Sequence, residues 1–251
     1  MLFVATVLVG GYVVLDPDRY KPWLDLEFEA PATDAELIAA FEEVVFLNAA
    51  RGAPESHVRR WDEPLLVAAR GTRAYDEALA NAVVLMGLIT GLEAQAVRAE
   101  TGAERVVVHF GRATDLLVPG NAEGTLARTL HETAGRRGSW TAQERGGRGG
   151  FVVFITTDEG DTFAQASTAH ELLHVLGFAG HASSLASVMN IGSRREEWLT
   201  VNDLILLRTL YDPRIARAMQ ADAALQAARE VIPELSSAVR ARGAIAALVQ
   251  R

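Results

Sequence analysis

The stretch His170-Glu171-Leu172-Leu173-His174-Val175-Leu176-Gly177-Phe178-Ala179-Gly180-His181 decides how the rest of the chain is read. Two histidines four apart on a helix project from one face, so their rings come within reach of a single ion, and neutral imidazole is a good zinc ligand. Glu171 lies beside the first histidine, where a carboxylate can take a proton from a water activated by the ion without being a ligand itself. Gly177 can end the helix in a left-handed conformation and turn the chain back. That turn makes His181 the candidate third ligand.

The residues around this stretch press the same point. From Phe163 to Gly177 the sequence is apolar on nearly every helical face apart from Ser167, Thr168, His170, Glu171 and His174. A helix buried in that way cannot leave two imidazoles and a carboxylate unpaired, because each unsatisfied buried polar group costs about 1 to 3 kcal/mol. A bound cation resolves the mismatch. Thr162-Phe163-Ala164-Gln165 reads as a capping box that starts the helix. Glu196 and Glu197, about twenty residues after His174, offer a rival third ligand, but so charged a run is usually a solvated face.

With Met189 in Ser187-Val188-Met189-Asn190 added, the chain resembles the metzincin zinc peptidases, whose signature is His-Glu-x-x-His-x-x-Gly-x-x-His followed by a methionine turn. It is most similar to the matrixins, through Leu176-Gly177-Phe178, Gly180-His181 and the interval to Met189. One residue is inserted between Gly177 and the last histidine. The resemblance implies an α+β metzincin-like (zincin) domain: a small twisted mixed sheet with a backing helix, an active-site helix and further C-terminal helices. It also implies Zn²⁺ held by His170, His174 and His181, Glu171 as catalytic base, Met189 beneath the metal, and a protein or peptide substrate. The strand just before the zinc helix, Phe151 to Thr157, would by the same resemblance offer a free edge to an extended peptide.

A second resemblance is longer. From Arg60-Trp61-Asp62-Glu63-Pro64 through Thr90-Gly91-Leu92, and from Leu199-Thr200-Val201-Asn202-Asp203 to Leu210-Tyr211-Asp212-Pro213-Arg214, the chain is similar to a proteobacterial envelope family of unassigned function. That family is related to matrixins, and many of its members have lost the zinc histidines. This sequence keeps them. The resemblance implies a periplasmic, secreted or membrane-anchored protein.

Composition bounds these readings. The 251 residues, 49% of them hydrophobic, suffice for one catalytic domain with appendages. With 24 basic and 32 acidic residues the net charge is −8, which argues against a nucleic-acid partner. Cysteine is absent, which excludes disulfides and a thiolate zinc site.

The chain divides into an N-terminal apolar segment and linker (1–30), a helical lead-in (31–60), the catalytic domain (61–212) and C-terminal helices (213–251). Residues 1–15 are apolar and uncharged, shorter than the ~20 residues of a bilayer span, and read either as a signal or anchor or as a buried strand. Thr33-Asp34-Ala35-Glu36 is a capping box for a helix to about Ala50. Strands are expected over 64–69, 95–99, 105–110 and 151–157, with a helix over 74–90 and a short one over 124–133. His109 reads as a strand residue, and His131 has no metal spacing. Gly135 to Gly150, with Trp140, reads as a long solvated hairpin loop. Asp158-Glu159-Gly160-Asp161 is an acidic turn. Thr200 caps a helix to Tyr211, and the remainder forms two amphipathic helices split near Pro233.

The leading expectation is therefore a zinc endopeptidase. The alternative is a non-catalytic envelope binding or structural protein that keeps the fold with a structural zinc. A metal-free relic, its histidines hydrogen-bonded to neighbours, is the third.

Overall fold

A computed structural model describes residues 26, 29–47, 54–98, 105–112, 139–144, 150–194 and 196–249, with 139–144 described by backbone alone. The expected segment 1–15, the short helix over 124–133 and His131 lie outside the described residues. Among the described residues, no helix is long and apolar enough to cross a membrane.

The protein is α+β. Helix α1 (Asp34–Phe46) opens with the expected capping box: Thr33 Oγ1 accepts from the Glu36 amide and the Glu36 carboxylate accepts from the Thr33 amide. It ends at Phe46, short of Ala50, because its last carbonyls are taken by other segments. Val44 O accepts from Gly180 and Phe46 O from Glu55. After it come β1 (Leu65–Gly71), a 3-10 turn, α2 (Asp76–Thr90), β2 (Ala94–Val97), β3 (Val106–Gly111), β4 (Ser139–Glu144) and β5 (Gly150–Thr156).

These strands form one sheet in the order β2-β1-β3-β5-β4. The first four in that order run parallel, and β4 is antiparallel to β5. Val106, Val108 and Phe110 alternate into the core while Val107 and His109 lie half-buried on the other face, His109 stacked on Phe154. Two expectations fail here. Part of the 135–150 stretch is the strand β4, and β5, which pairs with β3 and β4, has no free edge. The glycine- and arginine-rich composition hid a segment whose strand character comes from pairing with β5 rather than from its own apolar pattern.

Helix α3 (Asp161–Leu176) carries the two histidines. It starts at Gly160 with no side-chain cap, so the capping box expected at Thr162 does not form. The Tyr75 hydroxyl donates to Asp161 in the first turn (2.7 Å), and Thr162 falls inside the helix. The acidic turn before it is a plain turn: Asp158 bonds Thr156, and Gly160 takes a positive φ of 95°.

Helix α4 (Val201–Leu210) is buried over most of its length. Helix α5 (Ala221–Arg242) runs through Pro233, and the break expected there falls at Gly243, before α6 (Ala244–Leu248). Proline removes one helical hydrogen bond and crowds the preceding turn. Burial of Leu225, Ala228, Val231, Ile232 and Val239 on both sides of it holds the helix together. Helix α5 packs on α1 and α4, and Ser236 donates to Asp34. The lead-in and the C-terminal helices thus share one hydrophobic core with the sheet.

Candidate metal centre

His170 and His174 lie one turn apart on α3, with ring centroids 4.8 Å apart. Each ring is oriented by a carbonyl: His170 Nδ1 lies 2.8 Å from Val188 O, and His174 Nδ1 lies 2.7 Å from Phe178 O. A carbonyl oxygen can only accept, so each Nδ1 carries the hydrogen, and in the neutral ring Nε2 is left with its lone pair. The two Nε2 atoms face one another at 3.2 Å. Two lone pairs at that distance call for a shared proton or a cation between them.

The bend after α3 delivers the third ring. Gly177 has a φ of 126°, and a Cβ there would lie 2.0 Å from Arg59 O. Gly180 then passes so close to the end of α1 that a Cβ would lie 2.1 Å from Leu47 O and 2.4 Å from Glu43 O. Next in line, the Ser183 amide and hydroxyl both donate to the Glu43 carboxylate, at 2.7 and 2.6 Å. Pinned on both sides, His181 turns inward, its ring 5.1 Å from that of His170 and 5.0 Å from that of His174. One ligand atom from each of the three lies within 4.8 Å of the others. The inserted residue is thus absorbed in the bend.

The donor set fits a transition metal. Two Zn–N bonds of 2.0–2.1 Å at a tetrahedral angle separate their nitrogens by roughly 3.3 Å, close to the His170–His174 separation. Imidazole nitrogens suit zinc, copper, iron or nickel, whereas calcium and magnesium take oxygen ligands. Glu171 is buried at 3% exposure beside His170 and is not part of the ligand cluster. Glu196 and Glu197 are exposed and also outside it.

Met189 is fully buried. Its turn touches both arms of the site, because Val188 O accepts from His170 while Met189 O accepts from the amide of Ala182, next to His181 (3.1 Å).

Two supporting residues escaped the sequence reading. Asp203, inside α4 and fully buried, accepts from Ser187 Oγ, the Val188 amide (3.1 Å), the Thr200 amide (2.9 Å) and Thr200 Oγ1 (2.9 Å). Burial pushes its carboxyl up, against the pull of these donors. The spacing Thr200-x-x-Asp203, a capping box with aspartate at its third position, was the signal available. Tyr211 is the other: its hydroxyl lies 3.0 Å from Leu176 O, at the end of α3, and 2.9 Å from Trp61 O. Burial drives its phenol well above the ordinary range.

The family described as protein of unknown function (DUF2927) matches residues 34–230, from the first residue of α1 into α5. The chain belongs to that family. The match spans α3, the bend, the methionine turn and Asp203, so every residue of the candidate centre lies within the shared region of a DUF2927 protein. No curated protein matches the chain.

Proposed function

We propose that the protein is a zinc-dependent endopeptidase of metzincin-like architecture. The observation that carries this reading is the convergence of His170, His174 and His181, with the first two rings held in the tautomer that turns Nε2 toward the common point. Those three side chains would hold the ion. When bound, zinc supplies Lewis acidity, making water a nucleophile near neutral pH and polarising the scissile carbonyl. Glu171 takes the proton from the attacking water as the new carbon–oxygen bond forms, then delivers it to the departing amide nitrogen as the carbon–nitrogen bond breaks. Burial keeps that carboxylate in place and away from competing bulk water.

Among the described residues β4 is the outer strand of the sheet and packs beside α3, and an extended peptide would pair with its backbone edge. The family resemblance favours an envelope setting.

Three candidate ligands with a buried carboxylate beside them favour catalysis over a structural zinc, which fills four protein positions. Metal analysis and cleavage of a peptide library test the proposal. Wild type is expected to carry one zinc per chain and to cleave; His174→Ala loses both; Glu171→Gln keeps zinc and stops cleaving. Bound zinc with no cleavage by wild type would leave the structural-zinc reading standing.

A further inference from the structure

We propose that Asp203 is a positioning residue for the metal centre: by holding the Ser187–Met189 turn it aims the Val188 carbonyl at His170 and so sets how tightly the three histidines hold a cation. This rests on the zinc reading above. Asp203 receives hydrogen bonds from two different segments. Those from the Thr200 amide and hydroxyl cap α4, and a helix cap requires nothing more. Those from Ser187 Oγ and the Val188 amide come from the methionine turn, and they do something a cap does not need.

Val188 is the link. Its amide donates to Asp203 at 3.1 Å, and its carbonyl accepts from His170 Nδ1 at 2.8 Å. Fixing one end of the residue fixes the other. A second path runs through Ser187 Oγ, which accepts from the Met189 amide at 2.8 Å; Met189 O in turn holds the amide of Ala182, beside His181. One buried carboxyl therefore steadies the supports of two rings that come from different parts of the chain. Partners that orient ligating histidines typically change metal affinity about 10- to 100-fold when removed.

The test separates the two sides of Asp203. Zinc affinity is measured by competition with a chromophoric chelator for wild type, Asp203→Asn, Ser187→Ala and Thr200→Val, with thermal unfolding of each metal-free protein as the structural control. All three variants are expected to lose stability. Zinc binding is expected to weaken about tenfold or more in Asp203→Asn and Ser187→Ala and to stay near wild type in Thr200→Val. If Asp203→Asn does not fold, the contrast between Ser187→Ala and Thr200→Val still decides. Equal affinities across the folded variants, or losses that follow unfolding temperature regardless of side, overturn the assignment while leaving the zinc reading intact. A wild-type protein that takes no stoichiometric zinc overturns both.

Discussion

The amide of Gly180 donates to the carbonyl of Val44 at 2.9 Å, so the bend that presents His181 is fastened to the last turn of α1. With Leu47 O and Glu43 O at 2.1 and 2.4 Å from where a Cβ would stand, an alanine cannot be accommodated without moving backbone. Gly180→Ala is expected to cost on the order of 1–3 kcal/mol of stability and to weaken zinc binding by displacing His181. Chemical denaturation with a parallel zinc titration checks it; an alanine variant with wild-type affinity would show that the bend tolerates a shift.

A metal held by the folded state and not by the unfolded chain must stabilise the fold. Zinc at about a hundredfold excess over its Kd is expected to add about 2.7 kcal/mol to unfolding stability. The gain should vanish with chelator, and should be absent in His170→Ala. Calorimetry or denaturant melts at several zinc concentrations measure this. A midpoint that does not move with zinc would speak against specific binding to the native state.

Ser167 lies on α3 one turn before Glu171, and its buried hydroxyl oxygen has no hydrogen-bond partner among the described residues. A buried hydroxyl left unpaired costs about 1–3 kcal/mol, so Ser167→Ala is expected to leave stability unchanged or to raise it. The melting temperature decides. A marked loss of stability would mean that the hydroxyl is paired in solution.

Tyr75 packs its ring at a tilt against that of Phe110 and donates to Asp161 at the start of α3. Burial and the Asp161 carboxylate push its phenol from 10.0 up to about 12. Because the native-state value is the higher one, the folded protein holds the proton more tightly. This contribution to stability is complete below the unfolded value and is lost as pH rises through about 12. Denaturation across that window should show stability falling with pH, and the fall should be shallower in Tyr75→Phe. An identical pH dependence in the two proteins would remove Tyr75 as the cause.

The readable parts of the sequence were those governed by local periodicity and capping. His170 and His174 share a face because four residues are close to one helical turn. Thr33 and Glu36 close a box because the spacing brings each side chain to the other's amide. The apolar alternation of Val106, Val108 and Phe110 matches the face of β3 that is buried. Where the local rule had a competitor, it misled. The Thr162–Gln165 box was a valid pattern, but α3 begins at Asp161, with Tyr75 bonded to its first turn. Pro233 signalled a break that burial on both flanks of α5 overrode. The strand nearest the histidine helix in sequence proved interior to the sheet, because β4 pairs along its side.

By itself the sequence determined the helix with its paired imidazoles and neighbouring carboxylate, the glycine that ends it, and the absence of any cysteine ligand. Each follows from residue type and from spacing within a few residues. Only the tertiary structure decided that His181 turns inward, that Val188 and Phe178 supply the carbonyls fixing the two tautomers, and that Asp203 braces the turn beneath them. Those outcomes depend on which backbone groups from distant segments are left to pair, and only packing of the whole chain decides that.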